Sequence, residues 1–123
     1  TFGHAIEAGT GYGSWLHGEA VAAGMRVAAE LSARKGWIDP ADVERITRLL
    51  LHARLPVNVP AAMSTANFMD LMAVDKKVRD GKLRLVLLER MNHAVLVDNV
   101  ETALLHETIE ACREATPDTG SAS

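Results

Sequence analysis

Two histidines and two carboxylates stand within the first nineteen residues, around a glycine-rich turn. Thr1-Phe2-Gly3-His4-Ala5-Ile6-Glu7 comes first, then Gly9, Gly11 and Gly13, then Leu16-His17-Gly18-Glu19-Ala20-Val21. Imidazoles and carboxylates bind divalent metals and carry protons near neutral pH. His17 opens a strongly helical stretch and is a candidate metal ligand; its plainer reading is a structural or surface imidazole. His4 and Glu7 are three residues apart, so one helix face holds both. They suit either a local hydrogen bond or an oriented proton-transfer pair. Asp75-Lys76-Lys77 ends a helical segment. The two ammonium groups either complement the negative end of a helix or receive an anion such as phosphate. The three glycines do not make a phosphate loop, because no Lys-Ser/Thr follows them and no strand precedes them.

The elements that must position these groups are mostly helices. The first is expected to end near Glu7 or Ala8, where the glycines begin. A second is expected from His17 to Lys35, with Ala20, Val21, Gly24, Met25, Val27, Ala28 and Leu31 as a broad small-apolar surface and Gly36 as its C-cap. Asp39-Pro40 starts a third, with Val43, Ile46, Leu49 and Leu50 on its apolar face, and Leu55-Pro56 ends it. Val57 to Pro60 reads as extended. Ser64 caps a fourth helix with Phe68, Leu71 and Met72 inward, and Asp80-Gly81 breaks it. Leu83–Leu88 and Ala94–Val97 read as two strands joined near Met91-Asn92-His93. A last helix is expected from Val100 to Ala115, capped by Asp98 or Asn99. The expected organisation is one mainly α domain with a small β-hairpin over residues 1–115, then a disordered tail at 116–123.

Composition narrows the function classes. The 123 residues are 48% hydrophobic and 24% charged, with a formal net charge of -3. That balance suits one core and gives no reason to expect nucleic acid or an anionic membrane as partner. No apolar run nears the roughly 20 residues that span a bilayer. The one cysteine, Cys112, can form no internal disulfide, which suits a reducing cytoplasm, and it reads as a structural or surface thiol. His52, His93 and His106 have no partner pattern and read as surface groups. The chain opens on its motif without an initiator Met, and reads as the C-terminal part of a metalloenzyme.

Together, Phe2-Gly3-His4-Ala5-Ile6-Glu7, the Leu16 to Met25 stretch, Asp75-Lys76-Lys77, Leu83 to Leu88 and Ala94 to Asp98 resemble 3-dehydroquinate synthase. The resemblance implies an enzyme with an α/β NAD-binding N-terminal domain and a mainly helical C-terminal domain that carries much of the metal and substrate site. It implies conversion of 3-deoxy-D-arabino-heptulosonate 7-phosphate to 3-dehydroquinate and phosphate in the shikimate pathway. The implied cofactors are NAD, with no cofactor-binding residue in this chain, and a divalent metal, Zn2+ or Co2+. The implied assembly is a homodimer. His17 matches one of the family's two metal-binding histidines. The other histidine, and a glutamate ligand, belong to segments this chain does not contain, so the fragment alone is expected to be inactive. His4 matches a histidine assigned to proton transfer near the phosphate, and Lys76 or Lys77 a phosphate-contacting lysine. Glu7 and Glu19 are expected to support the histidines from behind. Arg26 stands where the family usually has an apolar residue, and Asn92-His93 replaces a glycine-containing turn. The alternatives are a related sugar phosphate cyclase, a metal-dependent polyol dehydrogenase and, from another class, a non-catalytic helical interaction domain.

Overall fold

Five helices and one hairpin follow each other in the computed structural model, which describes residues 2–9, 17–60, 63–78, 81, 84–98 and 100–113, with backbone only at 75, 77 and 78. The elements are α1 (Phe2–Gly9), α2 (His17–Arg34), α3 (Pro40–His52), α4 (Thr65–Val78), β1 (Leu85–Arg90), β2 (His93–Val97) and α5 (Thr102–Cys112). The expected mainly α architecture with one hairpin is what forms. The expected Leu83 strand start, the Asn99 cap and the 116–123 tail lie outside the described residues.

The local signals act as their chemistry requires. Gly36 takes φ +80°, where L side chains are strained, and closes α2 through its own N–H to the Ala33 carbonyl and the Trp37 N–H to the Ser32 carbonyl. Asp39 precedes Pro40 at the start of α3, and its N–H donates to Asp42 Oδ2 at 3.1 Å. The Ser64 hydroxyl accepts the Asn67 N–H at 3.0 Å and so caps α4. The last helix departs from expectation. It begins at Thr102 behind Glu101, not behind Asp98, and ends at Cys112. Arg113 is already extended because its backbone bridges to Val59, whose N–H donates to the Cys112 carbonyl at 2.8 Å.

Helix α2 is the axis of the molecule, touching α1, α3, α5 and β1. Its Ala20, Ala23, Val27 and Leu31 lie buried with Phe2 and Ile6 of α1, Phe68 and Met72 of α4, Leu85 and Leu87 of β1, and Leu105 and Ile109 of α5. The Phe2 and Phe68 rings meet with centroids 6.2 Å apart, tilted by 57°. Each such side chain taken fully from water contributes about 1.5–3 kcal/mol. Beside this core, Ile38 and Val43 pack with Ala29 under α3.

The hairpin pairs antiparallel, Leu85 with Val97, Val86 with Leu96, Leu87 with Val95 and Leu88 with Ala94, then shifts register so that Arg90 meets His93. A lone two-stranded hairpin is marginal in water. This one is fastened to α2 by a buried hydroxyl: Ser32 Oγ accepts the Leu88 N–H at 2.9 Å and donates to the Ala28 carbonyl at 2.7 Å. At the opposite side, Arg113 Nε donates to the Met63 carbonyl at 3.0 Å, and Thr65 Oγ1 donates to Glu110. Those contacts tie the start of α4 to the end of α5.

Candidate active site

The first turn of α2 meets the last turns of α1 because the two helices run antiparallel. Gly3 of α1 lies against Gly24 of α2, and Glu7 of α1 reaches His17 of α2. His17 Nδ1 donates to Glu7 Oε1 at 2.9 Å. The His17 side chain is 71% exposed and that of Glu7 only 19%. A largely enclosed carboxylate thus holds an imidazole that projects outward. With Nδ1 carrying the proton, Nε2 keeps its lone pair, the arrangement by which a carboxylate orients a metal-binding histidine.

His4 and His17 line one cleft of about 420 Å³, with Phe2, Gly3, Gly24 and Ala28 at its base and Val21, Met25, Leu85 and Val86 as an apolar wall. His4 is exposed there. Glu7, placed by the sequence on one helix face with His4, reaches across to the other histidine, His17. The reason is geometric: in the antiparallel pairing Glu7 ends opposite the first residue of α2.

Not every expected group gathers here. Lys76 is exposed on a second cleft of about 300 Å³, lined also by Met72, Gly81, Leu85, Asp98 and Thr102. Leu85 lies between the two clefts and lines both. The Lys77 side chain lies outside the described residues. Glu19 is half-buried in the first turn of α2. His52, His93 and His106 are exposed, as expected of surface groups. His93 sits 3.8 Å from Glu89. Among the described residues, no three His, Cys, Asp or Glu side chains converge as a metal set. Also among them, no helix is long and apolar enough to cross a membrane.

Cys112 is fully buried, and desolvation pushes its thiol up to about 11, partly opposed by the nearby Arg26 guanidinium. This settles the choice between structural and surface thiol in favour of the former. Arg26, the departure noted in the sequence, is half-buried, and its Nε and Nη1 meet no hydrogen-bond partner among the described residues. The sequence reading missed the Gly3–Gly24 contact and the Ser32 clasp. Small residues four apart, Ala20 and Gly24, were a legible sign of the first. Nothing local marks Ser32, whose partner is 56 residues away.

A carboxylate-held histidine thus shares one cleft with a second histidine, on a mainly helical domain with one hairpin. The family model for 3-dehydroquinate synthase C-terminal matches residues 1–78, and the chain belongs to that family. It is similar to 3-dehydroquinate synthase of Nitrosococcus oceani, 57% identical over 110 residues, which are 89% of this chain and 31% of that protein. The enzymes of Pseudomonas putida and of the Solanum lycopersicum chloroplast are 57% and 50% identical over 90% of the chain, covering 30% and 25% of their own lengths. The chain therefore spans about a third or less of these relatives. Its fold is that of 2-epi-5-epi-valiolone synthase from Streptomyces hygroscopicus, solved with NAD+ and Zn2+ bound, with a TM-score of 0.77 at 24% identity over 90% of this chain and 31% of that one.

Proposed function

We propose that this chain is the metal- and substrate-binding part of a 3-dehydroquinate synthase. The reaction converts 3-deoxy-D-arabino-heptulosonate 7-phosphate to 3-dehydroquinate and phosphate, with NAD and a divalent metal. The observation that carries the reading is that His17, held by Glu7, shares one cleft with His4, in a chain of this family. NAD and the remaining metal ligands are supplied from outside these 123 residues, so the chain alone turns nothing over.

His17 fits a divalent metal by its donor chemistry. Glu7 occupies one ring nitrogen and leaves Nε2 on an imidazole projecting from the protein surface. Held there by His17, Zn2+ or Co2+ would supply Lewis-acid chemistry, favouring loss of a hydroxyl proton and polarising a carbonyl. One imidazole is too few for a catalytic site, which takes three protein ligands.

The other roles fall to this chain's own groups. His4 takes the proton from the carbon adjacent to the one that bears the phosphate, so that a double bond forms between the two carbons as the bond to the phosphate oxygen breaks; an exposed imidazole in the same cleft suits that base role. A lysine of the Lys76-Lys77 pair holds the phosphate as a point charge, which requires the substrate to reach past Leu85 from the histidine cleft into the neighbouring cleft that Lys76 lines. The apolar wall of Val21, Met25, Leu85 and Val86 limits water around the reacting carbons.

The test uses the complete gene product that encodes this chain, assayed for phosphate release from the heptulosonate phosphate. His17→Ala should lose bound zinc and turnover together. Zinc content and rate both at the wild-type level in that variant would remove His17 from the site. Oxidation of the substrate without phosphate release would point to a dehydrogenase.

A further inference from the structure

The distance between His4 and His17 is fixed by how closely α1 lies on α2, and that approach depends on one residue. A methyl group built on Gly24 would stand 2.9 Å from the Gly3 nitrogen, 3.3 Å from the Gly3 Cα and 3.4 Å from the Phe2 Cβ. The first two neighbours are backbone, which cannot swing aside as a side chain end can. The partner glycine is different. A methyl group on Gly3 would meet the Ala20 oxygen and the Val21 Cα at 3.6 Å, an ordinary van der Waals contact. The seam therefore excludes a side chain from the α2 side only.

The consequences run directly into the cleft. Gly3 precedes His4, and both glycines line the cleft that holds the two histidines. Gly24 lies two turns beyond His17 on the same face of α2, as a spacing of seven residues requires. Restoring an ordinary contact at Gly24 means moving the α1 backbone by roughly half an ångström, taking His4 with it. The Glu7–His17 bond lies at the other end of the helix pair and can follow by small side-chain adjustment.

We propose that Gly24 is a positioning residue that sets the reach from the proton-transferring His4 to the metal-binding His17. This rests on the function proposed above. Misplacing a catalytic group by about 1 Å can cost on the order of 100-fold in rate. A shift of half that size should lower kcat by about 10-fold.

The test compares Gly24→Ala with Gly3→Ala in the complete gene product, scoring kcat, KM, zinc content and the visible spectrum of the Co2+ form. Gly24→Ala should lose about 10-fold in kcat, with zinc content and the Co2+ spectrum close to wild type. Gly3→Ala should lose clearly less in kcat than Gly24→Ala, since its methyl group meets only ordinary contacts. A merely structural role would reduce the amount of folded enzyme and leave kcat per zinc-loaded molecule unchanged, and that result overturns the proposal. So does an equally severe Gly3→Ala. Should Gly24→Ala yield no folded protein, Ala20→Ser adds one oxygen to the same buried seam and must show a smaller loss confined to kcat; wild-type kcat there overturns the proposal. A wild-type protein that releases no phosphate defeats the functional reading, and the role of Gly24 falls with it. A wild type that turns over beside an equally fast Gly24→Ala defeats the role of Gly24 alone.

Discussion

Removing the Glu7 carboxylate isolates the feature on which the metal assignment depends. In the metal-free protein the pair is exposed at His17, so its own contribution to stability is small, at most about 1 kcal/mol. Its effect on metal binding should be larger. Without Glu7, His17 must be ordered when metal arrives, at a cost of about 0.5–1.5 kcal/mol for one side chain. It also loses the charge-assisted bond at 2.9 Å that supports the positive charge of a metal-bound imidazole. Together these agree with the 10- to 100-fold loss of affinity, about 1.4–2.7 kcal/mol, usual when a carboxylate behind a metal-binding histidine is removed. Glu7→Ala in the complete gene product should therefore bind zinc about 30-fold more weakly. Glu7→Gln keeps an oxygen that accepts from Nδ1 and loses only the charge, so it should lie nearer the lower bound of about 10-fold. Competition against a chromophoric chelator measures both, with thermal melting as the control for folding. Wild-type zinc affinity in Glu7→Ala would refute the reasoning, because His17 would then need no orientation from α1. A loss of affinity matched by a loss of folded protein would refute it too.

Two further predictions concern the frame around the cleft. Ser32→Ala leaves the half-buried Leu88 N–H without its acceptor, which should cost about 1 kcal/mol; denaturant unfolding reads the loss, and hydrogen exchange at Leu88 should quicken, so an unchanged midpoint and exchange rate would dismiss the clasp. Cys112 should resist thiol reagents at pH 8 until the protein is unfolded, being buried with its thiol pushed up to about 11 from 9.0. Its folded value lies above its unfolded one. The stabilisation it gives is thus fully present below pH 9 and is lost as pH rises through about 11. Cys112→Ala should flatten that part of the stability profile, and an identical alkaline limb in both proteins would contradict the assignment.

The sequence alone determined the elements whose signals are local. Asp39-Pro40 starts α3 and Gly36 ends α2 because a proline ring and a positive φ are properties of single residues. The apolar runs at 83–88 and 94–97 marked two strands, while packing decided that Leu85 and Leu87 turn inward and Val86 outward. The order of His4, Glu7, His17 and Asp75-Lys76-Lys77 was also enough to suggest the family. Tertiary structure decided which groups serve each other. Glu7 reaches across to His17 because the antiparallel pairing of α1 and α2 sets it opposite the first residue of α2. Asp98 did not cap α5, and Lys76 faces another cleft than the histidines. Ser32 and Gly24 looked like ordinary small residues of a buried helix. Their importance comes from backbone atoms 56 and 21 positions away in the chain, and no local pattern encodes a contact made only when distant segments pack.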